Sequence, residues 1–185
     1  MSKLLMLLVI CIQSAFLFSG DQGAKKYENH VYFFTLDLPG KHEKGLTIVQ
    51  PKPPQPAHGF SIEIDGKHRS IEIYAGYNAT FQENTPETFH EWLRDESVTN
   101  MRTLSWGPYN ALGFMGFRAI LIQSHEGKDG MVNEAIRLLR KSKDGSPGIW
   151  YEFRLKSDSE HFIDDSNLFN RLMFSFKPIK SKYFE

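Results

Sequence analysis

The stretch Phe60-Ser61-Ile62-Glu63-Ile64-Asp65-Gly66-Lys67-His68-Arg69-Ser70-Ile71-Glu72-Ile73-Tyr74-Ala75 decides the fold. Phe60, Ile62 and Ile64 alternate with Ser61 and Glu63, and Ile71 and Ile73 repeat the pattern after Asp65-Gly66. Period two marks a strand with one buried face, and an Asp-Gly pair between two such runs marks an antiparallel hairpin. Such a hairpin sets His58-Gly59 beside Tyr74 to Tyr77. The loops that carry His58 and Tyr77-Asn78 then share one end of the sheet.

Working outward, Val31 to Leu38 alternates as well, with Tyr32, Phe34, Leu36 and Leu38 on one face and Pro39-Gly40 as the stop. Leu46 to Gln50 is a further short strand. Pro51-Lys52-Pro53-Pro54-Gln55-Pro56 places four prolines in six residues and reads as a stiff extended loop within one domain. Thr85-Pro86-Glu87 opens a helix, because threonine accepts from a free N–H, proline needs no acceptor and the carboxylate faces the positive end of the dipole. Phe89, Trp92 and Leu93 form its apolar stripe, and it should end near Val98.

Met101 to Trp106 reads as a strand. Phe117 to Ser124 is apolar on both faces and reads as a central strand covered on each side. Met131 to Lys141 has helical spacing at Val132, Ala135, Ile136 and Leu139, yet glycine-rich turns flank it. We read it as a strand of a meander. Ile149 to Leu155 is another strand. Asp158 or Ser159 is expected to cap a last helix carrying Phe162, Leu168, Phe169, Leu172 and Met173, which runs out at Ser175-Phe176. The expected class is α+β, a mostly antiparallel sheet of six or more strands packed with two or more helices. Trp92 and Phe169 require helices on the sheet.

Two segments resemble PsbP-like proteins. Phe33-Phe34-Thr35-Leu36-Asp37-Leu38-Pro39-Gly40 is similar to their opening strand, and Phe169-Asn170-Arg171-Leu172-Met173-Phe174-Ser175-Phe176-Lys177 to their closing helix. The resemblance implies a PsbP-like sandwich, a scaffold often used to bind other macromolecules. It carries over no catalytic residue.

The chain has 185 residues, with 22 Lys+Arg against 22 Asp+Glu and 41% hydrophobic residues. That composition supports a packed core, and its neutrality argues against a nucleic-acid partner. Lys3 followed by an apolar run to Phe18 has the form of a secretory signal peptide. The division expected is a signal peptide over 1–24 and a single α+β domain over 25–185, periplasmic or secreted, with no integral membrane span after cleavage. Cys11 is the only cysteine and lies inside the first segment. The mature chain is therefore expected to use no disulfide, no thiolate zinc ligand and no cysteine nucleophile.

The common catalytic signatures are missing: no G-x-S-x-G, S-x-x-K, phosphate loop or G-x-G-x-x-G occurs. The seven histidines lie more than five residues apart, so no local metal motif exists and neither metal nor cofactor is expected. His68, His90 and His125 read as ordinary exposed positions. His58, Tyr77 and Asn78 are candidate binding residues, since an imidazole, a phenol and an amide at one sheet end can orient a ligand. Trp106 and Tyr109 are a second candidate pair, as exposed rings that anchor a partner or pin their own loop. Glu63, Glu72 and Glu152 are expected to point outward. Arg118 and Arg154, if inward, need partners such as Glu134 or Glu152.

The leading expectation is an exported, non-enzymatic module that binds a protein or envelope component, with an inhibitor or accessory protein in that class. The rival is a small exported hydrolase using His58 with Tyr77 or a nearby carboxylate. A third reading is a small-ligand carrier with an apolar pocket between sheet and helices.

Overall fold

The computed structural model describes residues 25–40, 45–49, 58–66, 68–79, 85–96, 101–125 and 128–185. The proposed signal peptide, the proline loop, His42 and the helix end near Val98 lie outside the described residues, as do the side chains of Asn78, Trp92 and His125. The strands are β1 Lys26–Asn29, β2 Phe34–Asp37, β3 Leu46–Val49, β4 Gly59–Ile64, β5 Arg69–Ala79, β6 Met101–Pro108, β7 Met115–His125, β8 Lys128–Arg140, β9 Gly148–Asp158 and β10 Lys177–Pro178. The helices are α1 Pro86–Glu96 and α2 Phe162–Ser175. Among the described residues, seven strands form one antiparallel sheet in the order β3-β4-β5-β9-β8-β7-β6, and β1-β2-β10 form a second. This is the α+β sandwich that the patterning implies.

The hairpin pairs Ile62 with Ile71 and Phe60 with Ile73, so its apolar residues share a face. That face continues through Phe153, Leu155, Ile136 and Leu138, and α2 closes it with Leu168, Phe169, Leu172 and Met173. Each of these four helix side chains contributes about 2 kcal/mol by burial. The second sheet adds Phe34 and Leu36 to the same core. On the opposite face, α1 sets Phe89 and Leu93 on Phe117, Ala119, Leu121, Ala135 and Leu139.

Residues 131–140 form a strand, and their helical spacing has a physical source. Ile136 and Leu138 belong to the core under α2, whereas Ala135 and Leu139 face α1. Burial on both sides of a strand adds odd positions to even ones and imitates a helical stripe. β7 is also buried beneath α1, but it stands second from the sheet edge rather than at its centre.

Three boundaries depart from the sequence reading, the first being that of β2, which starts at Phe34 after a turn over residues 30–33 rather than at Val31. Asp158 and Ser159 do not cap α2, whose N-cap is His161, which makes no side-chain capping bond to the helix. The Asp158 carboxylate instead accepts from the His161 N–H at 2.9 Å and holds the turn before the helix. The basic tail is folded back: Lys177 and Pro178 pair with Thr35 and Phe34, and Phe184 is buried. Its anchor is Arg140, only 3% exposed. Arg140 donates to the carbonyls of Phe33 at 3.3 Å, Ile179 at 3.0 Å and Glu185 at 2.7 Å. A buried cation is tolerable here because fixed carbonyl dipoles replace water around it.

Candidate functional site

The hairpin brings His58 to the sheet end near Tyr77, and Tyr32 stands between them. The Tyr32 ring lies 5.1 Å from His58 and 5.0 Å from Tyr77, centroid to centroid. Its hydroxyl is 3.2 Å from both ring nitrogens of His58. His58 Nδ1 is 2.9 Å from the Ala75 carbonyl oxygen. A carbonyl only accepts, so Nδ1 carries the hydrogen and Nε2 is left to accept from Tyr32. Tyr77 does not bond His58; its hydroxyl donates to the Val31 carbonyl at 2.6 Å, and its ring stacks on Phe184. No carboxylate bonds His58 among the described residues. Burial pushes the Tyr32 phenol above its ordinary range, and the nearby Tyr77 adds to that shift. The group is therefore a satisfied polar clasp over an aromatic floor, with Tyr77 half exposed.

Trp106 and Tyr109 separate into two roles. Trp106 belongs to the edge strand β6, is 45% exposed and stacks on His90 with ring centroids 5.0 Å apart. His90 is half-buried rather than exposed, because its Nε2 also lies 2.8 Å from the Thr103 hydroxyl. Tyr109 turns inward, with its hydroxyl 3.9 Å from Met173 Sδ and its ring beside the Arg118 guanidinium. Leu104, at the bulge of β6, is 49% exposed and shares the outer edge with Trp106.

Arg118 and Arg154 are half-exposed rather than inward, and each reaches a buried carboxylate. Arg118 binds Glu134 at 2.7 Å, and Arg154 binds Glu152. Glu152 is not outward: it is buried and also holds Arg137 at 2.6 Å. Glu134 is fully buried, with Oε2 lacking a hydrogen-bond partner among the described residues. Burial raises its pKa above the ordinary 4.5, and the Arg118 charge and hydrogen bond oppose that. A second buried network fastens α2: Arg69 binds Asp165 at 3.0 Å, and Ser157 donates to Asp165 at 2.5 Å.

Sequence reasoning missed Tyr32 and a groove of about 320 Å³ beside α1. Tyr32 reads as one more inward residue of an alternating run, and its polar tip is the only local signal. The groove is lined by Leu93, Met101, Met131, Glu72, Arg154 and Lys156, among others. It is amphipathic, not the apolar pocket of a carrier. Its residues come from β5, β6, β7, β8, β9 and α1, so no local spacing announces it. Among the described residues, no group of three or more metal-ligating side chains occurs, and no helix is long and apolar enough to cross a membrane.

A seven-stranded antiparallel sheet with α1 on one face and α2 plus a small sheet on the other defines the PsbP-like α+β sandwich. The cyanobacterial PsbP (CyanoP) of Synechocystis sp. PCC 6803 is similar in fold at a TM-score of 0.60 and 12% identity, covering 90% of this chain and 98% of that one. LpqN of Mycobacterium tuberculosis, described as involved in cell envelope biogenesis, gives a TM-score of 0.57 and 9% identity, covering 88% of both chains. At such identities the likeness concerns the fold alone. No family model matches the sequence, and no curated protein matches it.

Proposed function

We propose that this chain is an exported, non-enzymatic accessory module that binds a protein or an envelope component. In this reading residues 1–24 are a signal peptide, and 25–185 are one mature domain in the periplasm or outside the cell. The observation that carries it is the exposed pair Leu104 and Trp106 on edge strand β6. An exposed tryptophan held flat by His90 is pre-ordered, so a partner that buries it forgoes little rotamer entropy. The export half rests on the Lys3-led apolar run, and is supported by a fold shared with an envelope-biogenesis protein.

The test is affinity capture from the envelope fraction of the native host, comparing the parent chain with a Leu104→Ser/Trp106→Ala variant. The expected result is a partner retained by the parent and lost by the variant. Equal capture, or recovery of uncleaved chain from the cytosol, would overturn the reading.

A hydrolase is the second reading, favoured by one observation: a tyrosine hydroxyl, an imidazole and a carbonyl that orients it stand in line. Burial argues against it. Tyr32 is 5% exposed and its phenol is shifted away from ionisation, the reverse of an activated nucleophile. Tyr77 and every described carboxylate lack a bond to His58.

A further inference from the structure

The groove beside α1 holds charges of both signs that the fold leaves unused. The side chains of Glu72 and Lys156 make no hydrogen bond or ion pair among the described residues, and neither do those of Gln123 and Asn133. Arg154, in the same groove, is committed to Glu152. The sheet register sets Lys156 opposite Ser70 and Glu72 opposite Arg154, making Glu72 and Lys156 diagonal neighbours across β5 and β9. Diagonal positions on one face lie about 7–8 Å apart, within reach of long side chains yet wide enough to admit a small head group. Leu93, Met101 and Met131 supply the apolar part of the lining. A volume of about 320 Å³ is at the small end for a ligand site.

These features discriminate among ligands by charge. A purely anionic ligand meets Glu72. A purely cationic one meets Lys156 and Arg154. A hydrocarbon would strip water from two charges and two amides without replacing their hydrogen bonds. We propose that this groove binds a free amino acid or dipeptide with apolar side chains, Glu72 receiving its ammonium, Lys156 its carboxylate, and the Leu93, Met101 and Met131 surface its side chain. Asn133 and Gln123 are placed to serve the peptide amide. This site involves neither Leu104 nor Trp106, so either proposal can fail without the other.

The experiment is a titration of the full chain, followed by amide chemical shifts, with free leucine and with leucyl-leucine. Each runs beside its N-acetylated and C-amidated forms. The expected result is saturable binding of at least one zwitterion, weakened about tenfold or more by capping either end, as loss of a charge-assisted contact implies. Glu72→Gln should abolish discrimination against the N-acetylated form, and Lys156→Gln discrimination against the C-amidated form. The capped ligands test the idea without any variant. No saturable binding by either zwitterion, or equal binding of the capped forms, would overturn it.

Discussion

The Tyr32 hydroxyl and the His58 imidazole form a closed hydrogen-bonded pair 3.2 Å apart, with the Ala75 carbonyl holding the far side of the ring. The pair joins the turn before β2 to the start of β4, which are distant in sequence. Its contribution is to fasten the small sheet to the large one at the end where Tyr77 and Phe184 also stack.

Tyr32→Phe should therefore cost stability. The ring remains, but His58 Nε2 loses its donor in a half-buried place. The expected loss is about 1 kcal/mol in denaturant unfolding. Nitrogen chemical shifts of His58 should report hydrogen on Nδ1 in the parent chain, and a shift unchanged by Tyr32→Phe would contradict the assigned bond.

The Arg69–Asp165 pair offers a sharper test. Asp165 is 4% exposed and is bound by both Arg69 and Ser157. Asp165→Ala leaves a nearly buried guanidinium with only the carboxylates of Asp65 and Asp158. Its expected cost is about 3 kcal/mol. The double variant Arg69→Met/Asp165→Leu should lose clearly less, because no charge is then stranded. Chemical denaturation of both variants beside the parent chain checks the two outcomes.

Glu134 sets a pH dependence. Its folded pKa lies above the ordinary 4.5 because burial disfavours the charged form. The unfolded chain then releases its proton first, so between those two values the folded state holds more protons. Stability from this group is full below pH 4.5 and is lost as pH rises through the folded value. Glu134→Gln should flatten that part of the profile, gaining on the parent chain as pH increases. Unfolding free energies taken from pH 4 to 8 decide the matter; a difference that stays constant with pH would refute it.

Gly76 should accept no side chain. A Cβ there would land on the Trp150 ring, which lies opposite on β9. Gly76→Ala should cost about 1–3 kcal/mol and shift the Trp150 emission, as the ring or the strand gives way. A variant as stable as the parent, with unchanged emission, would show that the ring relaxes freely.

Much of the frame was legible because it depends on near neighbours in the chain. Alternation and the Asp65-Gly66 turn define the β4–β5 hairpin, and Thr85 accepts from the Thr88 N–H at 3.2 Å, as a helix-start residue should. Two of the three strands of the second sheet were not legible. Lys26–Asn29 and Lys177–Pro178 are too short for a period, and they become strands only because β2 offers an edge to each. Glu152 misled for a related reason: alternation separates two faces, but not which one water reaches, and Arg137 and Arg154 close over it.

Local order thus came from the chain itself: the longer strands, the start of α1 and the two faces of β5. Tertiary packing decided that Tyr32, not Tyr77, meets His58. It also decided that Trp106 stays outside while Tyr109 goes in, and that the Glu72 and Lys156 side chains meet in one groove without a partner among the described residues. The division follows from range. Backbone preference and hydrophobic period act over a few residues, whereas meetings across strands depend on a sheet order that no short segment encodes.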